Sequence, residues 1–244
     1  DMIKLSSLRK EITTDHETTA KRWPELLALR QDIVNRYNGT MSFFSLSNTS
    51  WRVWGEVKRH RTLEQAVESV YKAASRAIDV FKPYQNQVKE KKLSGIMVDN
   101  ISNVLMIPPK FKDNHELLQR YTSLFMDSLN AYEQLSKEVP VSDAIAVIPR
   151  GLKLLVFKRF DLYNILEGYI PLRLCGTAEN EMRATTELEA QRIKESLPDY
   201  IAANIGPKCA SVGFCPEQKS CGKIQNYIGY KYTPEIHKYF SDNT

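Results

Sequence analysis

Residues 58–69 read KRHRTLEQAVES, Lys58 to Ser69, and the interpretation of this stretch decides the fold. Leu63, Ala66 and Val67 continue into Val70, Ala73, Ala74 and Ile78 at intervals of three and four. That spacing predicts a single amphipathic helix over 62–81, with Thr62 and Gln65 as a capping box. On this reading Lys58, Arg59, His60 and Arg61 sit at a helix N-terminus, where the dipole and free backbone N–H groups favour an anion. Arg59 and Arg61 can each grip a phosphate with two parallel hydrogen bonds, and His60 can change charge near neutral pH. The same four residues also suit a solvated basic corner or a nucleic-acid patch, with Trp51, Trp54 and Tyr71 as stacking aromatics.

The flanks predict further helices. WPELLALRQDIVNRY, 23–37, spaces its leucines, Ile33 and Val34 helically, with Pro24 expected in the first turn and Asn38-Gly39 as the stop. MSFFSLS, 41–47, reads as a short strand. Residues 82–112 look irregular, with one strand in VLMI and a solvated turn at Lys89 to Lys92. A long helix is predicted over 115–138 behind Asp113 or Asn114, and a shorter one capped by Ser142. KLLVFKRF, 153–160, alternates as a strand, and DLYNILEGY, 161–169, is a helix approaching a kink at Pro171. A second long helix is expected from Leu172 to about Ala203. The sum is an α+β fold, long helices on a small, mostly antiparallel sheet. The expected organisation is an N-terminal helical segment (1–40), a domain over 41–223 with a cysteine-rich loop at 206–223, and a tail at 224–244.

Net charge is +5 across 244 residues, which suits anionic small molecules without specifying one. No window of 18 apolar residues occurs, and DMIKLSSLRKE carries no apolar leader, so neither a membrane-spanning helix nor secretion is expected. The four cysteines, Cys175, Cys209, Cys215 and Cys221, all lie in the last 70 residues. Four thiolates would make a closed, structural zinc site; two disulfides or buried free thiols are the alternatives.

A second polar block, YIPLRLCGTAENEMRA at 169–184, can open a helix toward a cleft. Taken alone it also suits a surface helix with a Glu179–Arg183 pair. With the first block it carries a resemblance. Arg59-His60-Arg61, seven residues, then Ser69 resembles the hallmark of flavin-dependent thymidylate synthases. In several members of that family the later stretch runs L-R-T-C-x-R-A-Q-W-E-I-R. LRLCGTAENEMR keeps Leu172, Arg173, Cys175, Ala178, Glu181 and Arg183 in step with it. GPKCASVGFCPEQKSCG, 206–222, is similar to the closing loop of those members.

The resemblance implies an enzyme that methylates deoxyuridine monophosphate. Methylenetetrahydrofolate is the carbon donor, and FAD reduced by NADPH is the hydride source. It also implies a cytoplasmic homotetramer with active sites where subunits meet. Arg59, His60 and Arg61 would contact the flavin; Ser69 and Arg173 would be catalytic and would touch the nucleotide; Glu56 would lie on the substrate side. Several positions depart from the family pattern. Tyr71 stands where an arginine for the nucleotide phosphate is usual, Glu64 where a serine is, Glu56 where a glutamine is, and Glu179-Asn180 where Gln-Trp is. An H-x-T-P-x-E-H segment has no counterpart in IVNRYNGTMS. An acidic Glu64 beside a phosphate would weaken binding by like-charge repulsion. The alternative is therefore a degenerate copy with a structural or regulatory role in a larger polypeptide or assembly.

Overall fold

KLLVFKRF places Leu154, Val156, Lys158 and Phe160 on one buried face, and this period of two makes it the central strand of the sheet. The computed structural model describes residues 1–243; the last residue of the expected tail, Thr244, lies outside them. Two helices come first, α1 (Met2–Ile12) and α2 (His16–Tyr37). They are followed by β1 (Phe43–Ser50), α3 (Trp51–Val57) and β2 (Glu64–Val67). The middle of the chain holds α4 (Val70–Phe81), α5 (Gln85–Lys89), α6 (Gly95–Ser102), α7 (Pro109–Lys112), α8 (His115–Leu135) and α9 (Val141–Ala144). After β3 (Lys153–Phe160) come α10 (Leu162–Leu166), α11 (Tyr169–Arg173) and α12 (Asn180–Glu195). The last helices are α13 (Asp199–Ala202), α14 (Lys208–Val212) and α15 (Pro234–Asn243). The result is mostly helical with one small antiparallel sheet of order β1-β3-β2, in agreement with the α+β expectation.

The chain divides into two units. One comprises residues 46–59 and 65–158, and its core is helical. Ala73, Ala74 and Ala77 on one face of α4 pack in the same core as Phe125 and Leu129 of α8, and the Phe81 ring lies tilted against Phe125 at 5.5 Å. Trp51 and Trp54 pack against this core, so they are not the stacking surface a nucleic-acid reading requires. The other unit comprises residues 1–45, 60–64 and 159 onward. There Phe214 and Phe240 stack at 4.5 Å beside Trp23. Arg30 of α2, 1% exposed, reaches the Leu166 carbonyl and the Glu167 carboxylate.

Several local expectations change. The helix over 62–81 is two elements, because Glu64–Val67 pairs with β3 instead of coiling. Pro24 lies inside the 22-residue α2, not in its first turn; Asp15 caps that helix by accepting from Thr18 N at 2.8 Å. Residues 82–112 hold three short α-helices and a 3-10 turn rather than coil throughout, and of VLMI only Leu105 bridges to Leu152. Pro140, not Ser142, opens α9. The expected helix from Leu172 to about Ala203 is broken at 174–179 and again at 196–198. Glu179 accepts from Met182 N at 2.9 Å and starts α12 there, so it caps the helix rather than pairing with Arg183.

Candidate functional site

The basic stretch follows the C-terminal end of α3, not a helix N-terminus. Lys58 is the C-cap, its N–H bonded to the Trp54 carbonyl at 3.0 Å, and Arg59 N–H bonds the Glu56 carbonyl at 3.1 Å. The carbonyl end of a helix attracts cations, so the dipole here favours the side chains themselves rather than a bound anion. Arg59 and Arg61 are exposed, and among the described residues neither has a carboxylate partner. Glu56 is half-buried on α3.

His60 is half-buried and meets Arg173, the last residue of α11. Nε of Arg173 donates to Nε2 of His60 at 2.7 Å, and Nη2 approaches the same nitrogen. The imidazole edge stands on the Tyr169 ring at 5.0 Å and 80°. Burial first, then the Arg173 charge, lowers the His60 pKa to about 4. His60 is thus neutral at pH 7 and accepts a hydrogen bond. The expectation that it changes charge near neutrality is corrected for this reason.

The segment that follows His60 is anchored by a residue the sequence reading missed. Asn164 on α10 is fully buried, and its Nδ2 donates to the Thr62 carbonyl and to Asp161 Oδ1, each at 2.9 Å. Asp161 in turn caps α10 by accepting from Asn164 N. The visible signal was Asp161 and Asn164 three apart at a helix start. Gly168 completes the arrangement. A Cβ there would lie 2.8 Å from a Tyr163 ring carbon and 2.9 Å from Asn164 Oδ1. Glu64, expected to repel a phosphate, is instead paired with Arg159, whose Nη1 lies 3.0 Å from both carboxylate oxygens.

Ser69 belongs to the other unit. It is the exposed N-cap residue of α4, and its hydroxyl makes no capping bond. Its neighbour Glu68 is tied down: Arg76 Nη2 lies 2.7 Å from its carboxylate, Leu155 N donates to the same oxygen at 3.0 Å, and Glu68 N bonds the Leu155 carbonyl at 2.8 Å. Burial pushes the Glu68 pKa up, but the Arg76 and Leu155 hydrogen bonds outweigh it and hold the carboxyl below its usual value. Tyr71 is 40% exposed on the first turn of α4.

The four cysteines line a common small cavity and are all free thiols, so the disulfide alternative is not realised. Among the described residues no group of three or more His, Cys, Asp or Glu side chains is arranged to hold a metal ion, and the zinc expectation is not supported. Burial, helped by the neighbouring thiols, pushes the Cys209 thiol up to about 12. No helix among the described residues is long and apolar enough to cross a membrane.

Comparison with known proteins matches residues 35–199 to the Thy1 family, thymidylate synthase complementing protein. A flavin-dependent thymidylate synthase of Pyrococcus furiosus is 27% identical over 124 residues, covering 49% of this chain and 50% of that protein. One of Thermococcus kodakarensis is 23% identical over 203 residues, covering 80% and 82%. The chain spans about half the length of the Pyrococcus furiosus and Pyrococcus abyssi relatives. A crystal structure of the Helicobacter pylori flavin-dependent thymidylate synthase, complexed with FAD and dUMP, aligns with a TM-score of 0.48 at 12% identity, covering 78% and 84% of the two chains.

Proposed function

The chain belongs to the thymidylate synthase complementing protein family, and on that premise we propose that it binds FAD and deoxyuridine monophosphate and forms thymidylate. Methylenetetrahydrofolate would give the carbon and NADPH the reducing equivalents. The observation that carries this reading is the His60–Arg173 pair. A neutral imidazole acceptor fixes the guanidinium from one side and leaves Nη1 for a ligand. A fixed cation is what stabilises negative charge building on a uracil ring in the transition state. Arg173 takes this role in the proposal. Ser69, in the other unit, leaves its hydroxyl unspent on capping and is the further nucleotide ligand that the family resemblance implies.

FAD, when bound, would supply the hydride. The donor set fits it: Arg59 and Arg61 present exposed guanidiniums without acidic partners among the described residues, suited to a pyrophosphate. His60 contributes orientation rather than charge. Glu56 lies on the substrate side, where its carboxylate can accept from a ligand N–H. Because Glu64 is engaged by Arg159, its repulsion of a phosphate is muted. The family resemblance also favours a cytoplasmic homotetramer. Phe44 and Leu46, 63% and 67% exposed on β1, are apolar surface that an oligomer would cover.

Tyr71 in place of the phosphate-binding arginine favours a second reading, a non-catalytic copy with a structural or regulatory role. Titration of the purified chain with FAD, followed by flavin absorbance and fluorescence before and after deoxyuridine monophosphate, separates the two. Flavin binding with a further spectral change on adding nucleotide is expected. Absence of flavin binding at high concentration would leave the non-catalytic reading.

A further inference from the structure

A cavity of about 390 Å³ lies among α1, α12, the loop after α13 and the turn at Lys223, and none of the residues assigned to thymidylate formation lines it. Three cations face it from separate parts of the chain: Arg9 in the last turn of α1, Lys194 in the last turn of α12, and Lys223. The single carboxylate in its wall, Glu187, is already engaged by Arg183, whose Nε lies 3.7 Å away. Among the described residues none of the three cations has an acidic partner. Helix dipoles account for a basic residue at each helix end, but not for two of them turned into one cavity. Arg9 Nε is buried without a hydrogen bond. Burial and the Arg9 charge together hold the Lys194 ammonium below its ordinary pKa. Asn204, 2% exposed, also lines the cavity. Its Nδ2 donates to the Tyr200 carbonyl at 2.8 Å, which fixes the amide orientation and leaves Oδ1 as a buried acceptor without a donor.

An unpaired cation cluster and an unsatisfied acceptor in one recess are both costly when empty. A single ligand class resolves both: an oxyanion that also carries a hydrogen-bond donor. We propose that this cavity is a second binding site, for a phosphate-bearing small molecule, with Arg9, Lys194 and Lys223 gripping the phosphate and Asn204 accepting from a hydroxyl or protonated phosphate oxygen. Phosphate is favoured over a carboxylate because three cations lining one cavity suit an anion with more charge and more acceptor oxygens.

The test is isothermal titration of the full chain with inorganic pyrophosphate, against sodium chloride of equal ionic strength. Saturable binding is expected, weakened at least about tenfold in Arg9→Gln and in Lys194→Gln. It should be unchanged in Arg173→Ala and in the double variant Arg59→Gln/Arg61→Gln, which separates this cavity from the nucleotide and flavin sites, and in the exposed-surface control Lys89→Gln. Loss of binding in Arg173→Ala with retention in Arg9→Gln and Lys194→Gln would overturn the proposal, as would no binding at millimolar pyrophosphate. Thermal melting gives a second readout. Because Arg9 and Lys194 repel each other, Lys194→Gln without ligand should melt no lower than the parent protein. A clear drop would mark the lysine as structural and count against the site.

Discussion

Arg173 donates from Nε to Nε2 of His60 across 2.7 Å, and this bond makes the histidine an acceptor rather than a cation. Its pKa near 4, below the ordinary 6.5, makes folding stability pH-dependent. Between these values the unfolded chain binds the proton and the folded chain does not, so stability is full above about 6.5 and falls as pH drops toward 4. Denaturant melts from pH 7 to pH 4 should show this decline, and His60→Gln should flatten it. An imidazole NMR titration with a midpoint near 6.5 would contradict the burial and charge assigned here.

Arg173→Lys keeps a positive charge but loses the planar fork that grips His60. Deoxyuridine monophosphate binding should weaken by about 2 kcal/mol, roughly thirtyfold. Arg173→Ala should also move the His60 midpoint upward, because one of its two depressing influences is gone. Equilibrium titration and NMR read the two effects separately.

Asn164→Asp preserves shape and replaces the Nδ2 donor with an oxygen facing the Thr62 carbonyl and the Asp161 carboxylate. The cost is expected to be about 2 to 3 kcal/mol. If Asn164 positions His60, the variant should also raise the His60 midpoint as the 60–64 segment loosens. Gly168→Ala presses on the same side chain and should cost about 1 to 3 kcal/mol. Urea unfolding measures both.

Glu68→Gln breaks the pairing with Arg76 beside Ser69. The Glu68 pKa is depressed, so its contribution is present above the ordinary value of 4.5 and lost as pH falls through the lower folded value. At pH 7 the variant should be less stable by about 1 to 3 kcal/mol. A double-mutant cycle with Arg76→Met isolates the pair. A coupling near zero would show that the carboxylate is held by the Leu155 N–H alone.

β3 was readable because KLLVFKRF is short, alternates well enough for a strand and is stopped by Asp161, although Leu154 to Phe157 is an unbroken apolar run and Lys158 falls on the buried face. The start of α8 was legible to within one residue, Asp113 or Asn114, and Asn114 is the one that caps it, accepting from Leu117 N. The strand at Glu64–Val67 was not legible. Its apolar residues fit a helix and a strand alike over so few positions, and the arbiter was pairing with β3, a contact nearly ninety residues away in sequence. The same mistake moved Arg59 and Arg61 to the wrong end of a helix. The residues of the candidate site came from their order along the chain. The neutral state of His60 and the hold of Asn164 on Thr62 exist only once α10 and α11 have folded beside the 60–64 segment.

The buried Arg30 has a consequence for where this protein can be cut. The segment shared with the family begins at residue 35, partway along α2. Yet the guanidinium that satisfies the Leu166 carbonyl and Glu167, just ahead of α11 and Arg173, lies upstream of that point. The heritable unit and the unit that can stand alone therefore have different edges. Excising 35–199 would leave an orphaned carbonyl and carboxylate behind the very helix that carries the candidate nucleotide arginine.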